Sequence, residues 1–157
     1  MGSAPNIHPA LVHFPIALVL TAALLDALAA LWGKDSLRTA AGVLWILALV
    51  GGAAAIGTGL WAQHTVFIPN ALADDAIEDH ETAGWITAGL VAAIALWRIV
   101  LRFDYPHGWL KEIYLLLAAG AVVTAGYTGY LGGELVYGHA IGQPHATTAA
   151  TPTPGPR

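Results

Sequence analysis

Four stretches of this chain are almost continuously apolar: Phe14 to Trp32, Thr39 to Ala62, Thr82 to Leu101 and Ile113 to Tyr137. Each holds roughly the 20 residues that a helix needs to cross a bilayer. Inside hydrocarbon the backbone must satisfy its own N–H and C=O groups, so a stretch of this kind crosses as an α-helix. Composition agrees, because only 10% of the residues are charged, against about a quarter in a soluble domain. The first stretch is not read as a secretory signal, since no basic region precedes it and no cleavage site follows. The sequence therefore predicts an all-α integral membrane protein, a four-transmembrane-helix bundle. Its domain covers residues 1–145, with helices over about 9–32, 39–63, 80–102 and 111–138. Residues 146–157 are rich in Ala, Thr and Pro and predict an extended or disordered tail.

Charge sets the expected orientation. Lys34, Arg38, Arg98, Arg102 and Lys111 fall in the two loops on one side, and the sixth basic residue, Arg157, ends the tail. The opposite loop has no basic residue and carries Asp74, Asp75, Glu78, Asp79 and Glu81. The positive-inside rule then puts both termini and the acidic loop outside, which is the periplasm if the cell is a diderm bacterium. Trp32, Trp61, Trp85, Trp97 and Trp109 fall near helix ends, as interfacial aromatics do. The chain has no basic cluster, so a nucleic-acid partner is not expected.

On this topology the histidines segregate. His8 and His13 open the first helix, His64 closes the second, His80 opens the third and His139 closes the fourth, with His145 beyond it. Only His107 lies on the inner side. Every helix thus delivers at least one histidine to the outer face. Any single one of these, His64, His145 and His107 above all, is readily a titrating interface residue; the set as a whole points to a site. Small residues lie one or two turns deeper on roughly the same faces: Ala17 below His13, Gly57 below His64, Gly84 below His80 and Gly132 below His139. They suit close helix packing, or a flat macrocycle between helices. The ends of the second and fourth helices, "GTGLWAQH" and "GGELVYGH", share Gly, Leu and His at equal offsets, which hints at two duplicated hairpins.

Neutral imidazole is the usual nitrogen ligand of haem iron, zinc and copper. The chain has no cysteine, which excludes disulfides, thiolate metal sites and covalent c-type haem. Haem b needs two histidines on different helices; zinc or copper needs three or four converging donors, for which Glu134 near His139 offers a carboxylate. Pro9 suits a first helical turn. Pro15 is expected to kink the helix and free the carbonyl of Leu11, which would let His8 join His13 on one face. Asp26 lies 13 residues inward from His13, roughly 20 Å along the helix. A membrane carboxylate is a functional candidate, but the expectation here is structural, with Lys34 or Arg38 as partner. No nucleophile–base constellation, phosphate loop or dinucleotide motif occurs.

At "HPALVHFPIA" and "GYLGGELVYGH" the sequence resembles a bacterial membrane family known as domain of unknown function 2231. The matching residues are His8, Pro9, Val12, His13, Phe14 and Pro15, then Thr58, Gly59 and Leu60, then His80. They close with Gly132, Gly133, Leu135, Val136, Tyr137 and His139. The family usually has an acidic residue soon after its T-G-L, where this chain has "WAQH", so His64 is not a family feature. The resemblance implies the four-helix fold and carries over His8, His13, His80 and His139. Some relatives are joined to Rieske-type or cytochrome-like modules, which implies a membrane electron-transfer role.

The leading expectation is a membrane-bound b-type cytochrome subunit in a larger redox complex. It would hold one haem b or two near the periplasmic face through His13, His80, His139 and His8, packed on Ala17, Gly84 and Gly132. With two haems, His13 with His80 and His8 with His139 is one of several pairings. Electrons would pass to or from quinone or a periplasmic cytochrome or Rieske-type protein. The alternative is a small membrane anchor or assembly subunit whose histidines bind zinc, copper or nothing. A proton or ion conduit through Asp26 ranks last, because Ile16 to Leu25 offers only Thr21 as a polar group.

Overall fold

The computed structural model describes residues 6–66 and 72–141. His145 and the tail from 146 to 157 lie outside the described residues. Five helices follow one another: α1 (His8–Leu11), α2 (His13–Trp32), α3 (Asp35–Thr65), α4 (Leu72–Val100) and α5 (Trp109–Tyr137). No strand occurs among the described residues. Counting α1 and α2 together, four helical segments of 25 to 31 residues are long and apolar enough to cross a membrane.

Local chemistry explains the boundaries. Between α1 and α2 Val12 keeps a helical backbone, with its N–H on the carbonyl of His8 and its carbonyl taking the N–H of Ile16. Pro15 has no N–H for the carbonyl of Leu11 and its ring crowds that carbonyl, so the ladder is interrupted one turn before the proline. Pro9 lies in the first turn of α1, where a missing N–H costs nothing. Helix α2 stops at Gly33, which takes the left-handed conformation (φ 65°) and donates its N–H to the carbonyl of Ala29. Helix α4 begins at Leu72, well before the apolar stretch. Asp74 and Asp75 stand in its first turn, where carboxylates favour the positive end of the helix dipole. Their polarity hides this turn from an apolar window.

Helices α2 and α3 pack along their length, as do α4 and α5, while α3 with α4 and α2 with α5 close the square. The bundle runs up-down-up-down, so α2 and α4 are diagonal partners pointing the same way. Its interior is built from small residues, including Ala22, Ala29, Ala48, Ala118, Ala121 and Ala125, with Val19, Val91, Ile94, Trp45 and Tyr114 as the bulky members. Large apolar side chains face outward, among them Leu31, Leu116 and Val123, each at least 70% exposed. That inversion suits lipid, where apolar surface gains nothing by hiding and close backbone approach gains dispersion contacts.

The two hairpins are repeats of one plan. Aligning His8 with His80 brings Val19 onto Val91, Ala23 onto Ala95 and Asp26 onto Arg98. In the return helices Ala48 matches Ala118, Ala55 matches Ala125, Thr58 matches Thr128 and Gly59 matches Gly129. This register differs by five residues from the one suggested by the "GTGLWAQH" and "GGELVYGH" ends. It is the register in which equivalent residues meet: His8 contacts His80, and Asp26 contacts Arg98. Contact between equivalents is the mark of a two-fold relation, here an approximate one running along the bundle between its diagonal helices.

Candidate functional site

Helix α1 packs against α3. The ring of His8 comes to rest on Gly59, where an added Cβ would stand 3.1 Å from its Cε1. On the opposite hairpin His80 rests on Gly132, again with 3.1 Å between its Cε1 and an added Cβ. The two rings meet near the middle of the bundle, edge to face, with centroids 6.3 Å apart and planes at 85°. Both are half-buried.

Hydrogen bonds orient both rings. Nδ1 of His8 lies 3.1 Å from the hydroxyl oxygen of Thr58, which also reaches the carbonyls of Ala54 and Ala55. His80 Nδ1 lies 3.1 Å from the carbonyl oxygen of Thr128, which can only accept. His80 therefore carries its neutral-form proton on Nδ1, and His8 does the same when the Thr58 proton goes to a carbonyl. The lone pair is then left on Nε2, and neither Nε2 has a hydrogen-bond partner among the described residues. Metal-ligating histidines are held in this way, with one ring N–H tied to an oxygen and the other nitrogen free. Thr128 is in turn tied to α4 through a hydroxyl pair with Thr87 at 3.1 Å.

The other histidines are placed elsewhere. His13 is exposed, and its Nδ1 donates to the carbonyl of Pro9 at 2.7 Å. His139 lies in the turn after α5, where its backbone N–H bonds to the carbonyl of Glu134. Neither shares a ring contact or hydrogen bond with His8 or His80. His64 is exposed at the end of α3 and His107 is exposed at the opposite end of the bundle. Of the small residues, Gly132 seats His80, Gly84 faces the methyl of Thr128, Ala17 is exposed and Gly57 adjoins open space. Among the described residues no group of three or more His, Cys, Asp or Glu converges as metal ligands do. Thr58, Gly59 and Thr128 were not singled out as site residues by sequence reasoning. Their signal was the Thr-Gly pair recurring at Thr58-Gly59 and Thr128-Gly129.

A second polar cluster lies at the far end of the same diagonal helices. Asp26 and Arg98 are both fully buried, with Oδ1 and Nη2 3.3 Å apart. The expected partners of Asp26, Lys34 and Arg38, are engaged otherwise. Lys34 lies over the ring of Trp32, and Arg38 bridges Asp104 at 2.9 Å and Asp35 at 3.2 Å. Asp26 points into the bundle, whereas those two side chains lie beyond the end of α2. The carboxylate also accepts from Trp45 Nε1 at 2.7 Å, from the Tyr105 hydroxyl at 2.8 Å and from the Tyr114 hydroxyl. Arg98 is stacked over Tyr105 and Tyr114 and donates to the carbonyls of Arg38 and Asp104.

Tyr105 reaches this cluster because the chain leaves α4 through two left-handed residues, Arg102 (φ 53°) and Phe103 (φ 71°). Burial first, and then the Asp26 carboxylate, push its phenol well above the usual tyrosine range. It therefore stays protonated and donating. The backbone N–H of Tyr105, chiefly, and Arg38 hold Asp104 below the usual carboxylate range. Its bridge to Arg38 thus persists through neutral pH and is lost only on strong acidification.

A helical membrane bundle with paired imidazoles at one end and a buried ion pair at the other is the class that fold and site define. The chain belongs to the family described as "Predicted membrane protein (DUF2231)", whose model matches residues 4–145. No curated protein and no solved structure matches it.

Breaking the ion pair from one side should cost more than removing it. Asp26→Asn or Arg98→Met alone is expected to lower stability by about 3–5 kcal/mol, because an unpaired buried charge or orphaned donors are left behind. Asp26→Asn combined with Arg98→Met should cost less than the sum of the two single changes. Denaturant-induced unfolding in mild detergent, followed by tryptophan fluorescence, measures the difference.

Proposed function

We propose that this protein is an electron-transfer subunit of the b-type cytochrome class that holds one haem b through His8 and His80. The observation that carries this reading is the pair of imidazoles from two diagonal helices, each with Nδ1 tied to an oxygen and Nε2 free. Two neutral imidazoles on separate helices are a donor set that haem iron takes. When bound, the haem supplies a one-electron iron couple. The chain's own contribution is to hold both rings by Nδ1 and keep their lone pairs on Nε2. Gly59 and Gly132 let the rings lie directly on the helix backbones. His13 and His139, which do not join the pair, favour one haem over two.

We place the pair near the periplasmic face of a bacterial inner membrane, with both termini outside, from the distribution of the basic residues. There the subunit would exchange electrons with quinone or with a periplasmic cytochrome or Rieske-type protein, within a larger complex.

Purified from cells supplied with haem, the protein is expected to show a Soret band and a sharp α band on reduction, with about one haem per chain. His8→Ala and His80→Ala should each abolish the colour, while His13→Ala and His139→Ala keep it. Gly132→Val, which pushes a branched side chain into the His80 ring, should lower haem occupancy. A colourless protein with zinc or copper bound would favour the anchor reading instead.

The native chain has no cysteine, so orientation can be read from single introduced ones. Cysteine in place of exposed Asp74 should react with an impermeant maleimide added to intact spheroplasts. Cysteine in place of Asp35 should react only after the membrane is opened. The reverse pattern would overturn the topology.

A further inference from the structure

One groove lies on the outward side of the crevice between α4 and α5, within a few residues of His80. It has a volume of about 180 Å³ and is lined by Asp79, Thr82, Ala83, Ile86, Thr124 and Tyr127. On α4 the lining recurs at the three- and four-residue spacing of a single helix face. The hydroxyl of Thr124 is bonded to the carbonyl of Ala121. The carboxylate of Asp79, the hydroxyl of Thr82 and the phenol of Tyr127 have no hydrogen-bond partner among the described residues. Tyr127 adjoins Thr128, whose hydroxyl meets that of Thr87, so it stands at the level of Trp85, where the groove opens at the outer edge of the apolar stretches. Its ring lies nearly parallel to that of Tyr130, with centroids 6.5 Å apart.

These features restrict the occupant. It must reach the outer edge of the apolar stretches and carry both hydrogen-bond donors and acceptors. It must also be small and flat enough for the groove. A phospholipid phosphate is disfavoured, because no cation lines the groove and Asp79 would repel it.

We propose that this groove binds the headgroup of a membrane quinone or quinol. Tyr127 and Thr82 would donate to its oxygens, and Asp79 would accept from a quinol hydroxyl. The neighbouring His80 gives such a site its purpose, and to that extent the inference rests on the electron-transfer reading above.

The test is a titration of the detergent-purified full-length protein with a short-chain alkyl benzoquinone, read by quenching of tryptophan fluorescence. Trp85 is exposed on α4 beside the groove and serves as the local reporter. The expected result is saturable quenching. Tyr127→Phe and Thr82→Val should each weaken binding about tenfold, the usual effect of losing one good hydrogen bond, while Tyr130→Phe leaves it unchanged. All three side chains are exposed, and circular dichroism verifies that the variants keep their helical content. Quenching that never saturates, or equal affinity in all variants, would overturn the site. A haem spectrum on the same sample separates the two proposals. Saturable quinone binding without haem keeps the groove and sinks the cytochrome reading, and haem without saturable binding does the reverse.

Discussion

The buried carboxylate of Asp26 is the contact on which the arrangement of this bundle depends. In lipid, helices gain little by hiding apolar surface, so association rests on close packing and on polar groups that must find partners. Asp26 draws donors from α3 (Trp45), α4 (Arg98), α5 (Tyr114) and the turn between the last two (Tyr105). With α2 itself, every transmembrane helix is tied to one residue. The Ala-rich interior allows many rotations and shifts of one helix on another. A charge that needs four donors in fixed places allows far fewer, which is the best-attested use of buried polar groups.

That constraint acts across the membrane. His8 precedes Asp26 by 18 residues, and His80 precedes Arg98 by the same 18. Pairing Asp26 with Arg98 on parallel diagonal helices therefore brings His8 and His80 to one level, about 27 Å away along the helices. The two ends differ in one respect that bears on function. At the Asp26 end each carboxylate oxygen has partners, and the arginine is held by carbonyls and aromatic faces with its Nε left unpartnered. Such a network is what a fold uses to hold itself together. At the histidine end two nitrogens are left with lone pairs and nothing to receive. The second pattern is the one a ligand completes.

Much of this was legible in the sequence, and the gaps have physical causes. Four apolar stretches fix four helices because lipid leaves the backbone no other option. The segregation of histidines to one end marked where a site would be. Which histidines meet was not legible. His8 and His13 are five residues apart, roughly 140° around a helix, so only one of them can face the bundle, and the apolar pattern does not say which. Asp26 was expected to reach along its own hairpin to Lys34 or Arg38. Its partner lies 72 residues away, and finding it requires seeing that the hairpins repeat. The helix ends hinted at the repeat but in a register five residues off, because what the two hairpins share is a contact plan. Asp26 and Arg98 occupy equivalent positions with opposite charge, so identity matching passes over them. The early start of α4 was missed for the reason that makes it stable, the acidic residues of its first turn.

Duplication also explains why the two halves of the site are similar without being the same. Each histidine is oriented by the equivalent threonine, but His8 uses the hydroxyl of Thr58 and His80 uses the backbone carbonyl of Thr128. Each ring lies on a glycine, but the second glycine has moved from Gly129 to Gly132, about one turn along α5. Only the first hairpin has prolines, Pro9 and Pro15, in the span that carries its histidine. Only the second carries the groove with Asp79 and Tyr127. A symmetric pair of hairpins can supply two equal donors on one axis, and nothing more. Access to that axis from a single side requires that the symmetry be broken, and the departures lie at the histidine end, in the hairpin entrance and the α4–α5 crevice. The ion pair at the other end breaks it in charge alone. Opposite charges at equivalent positions attract each other, where like charges would drive the hairpins apart.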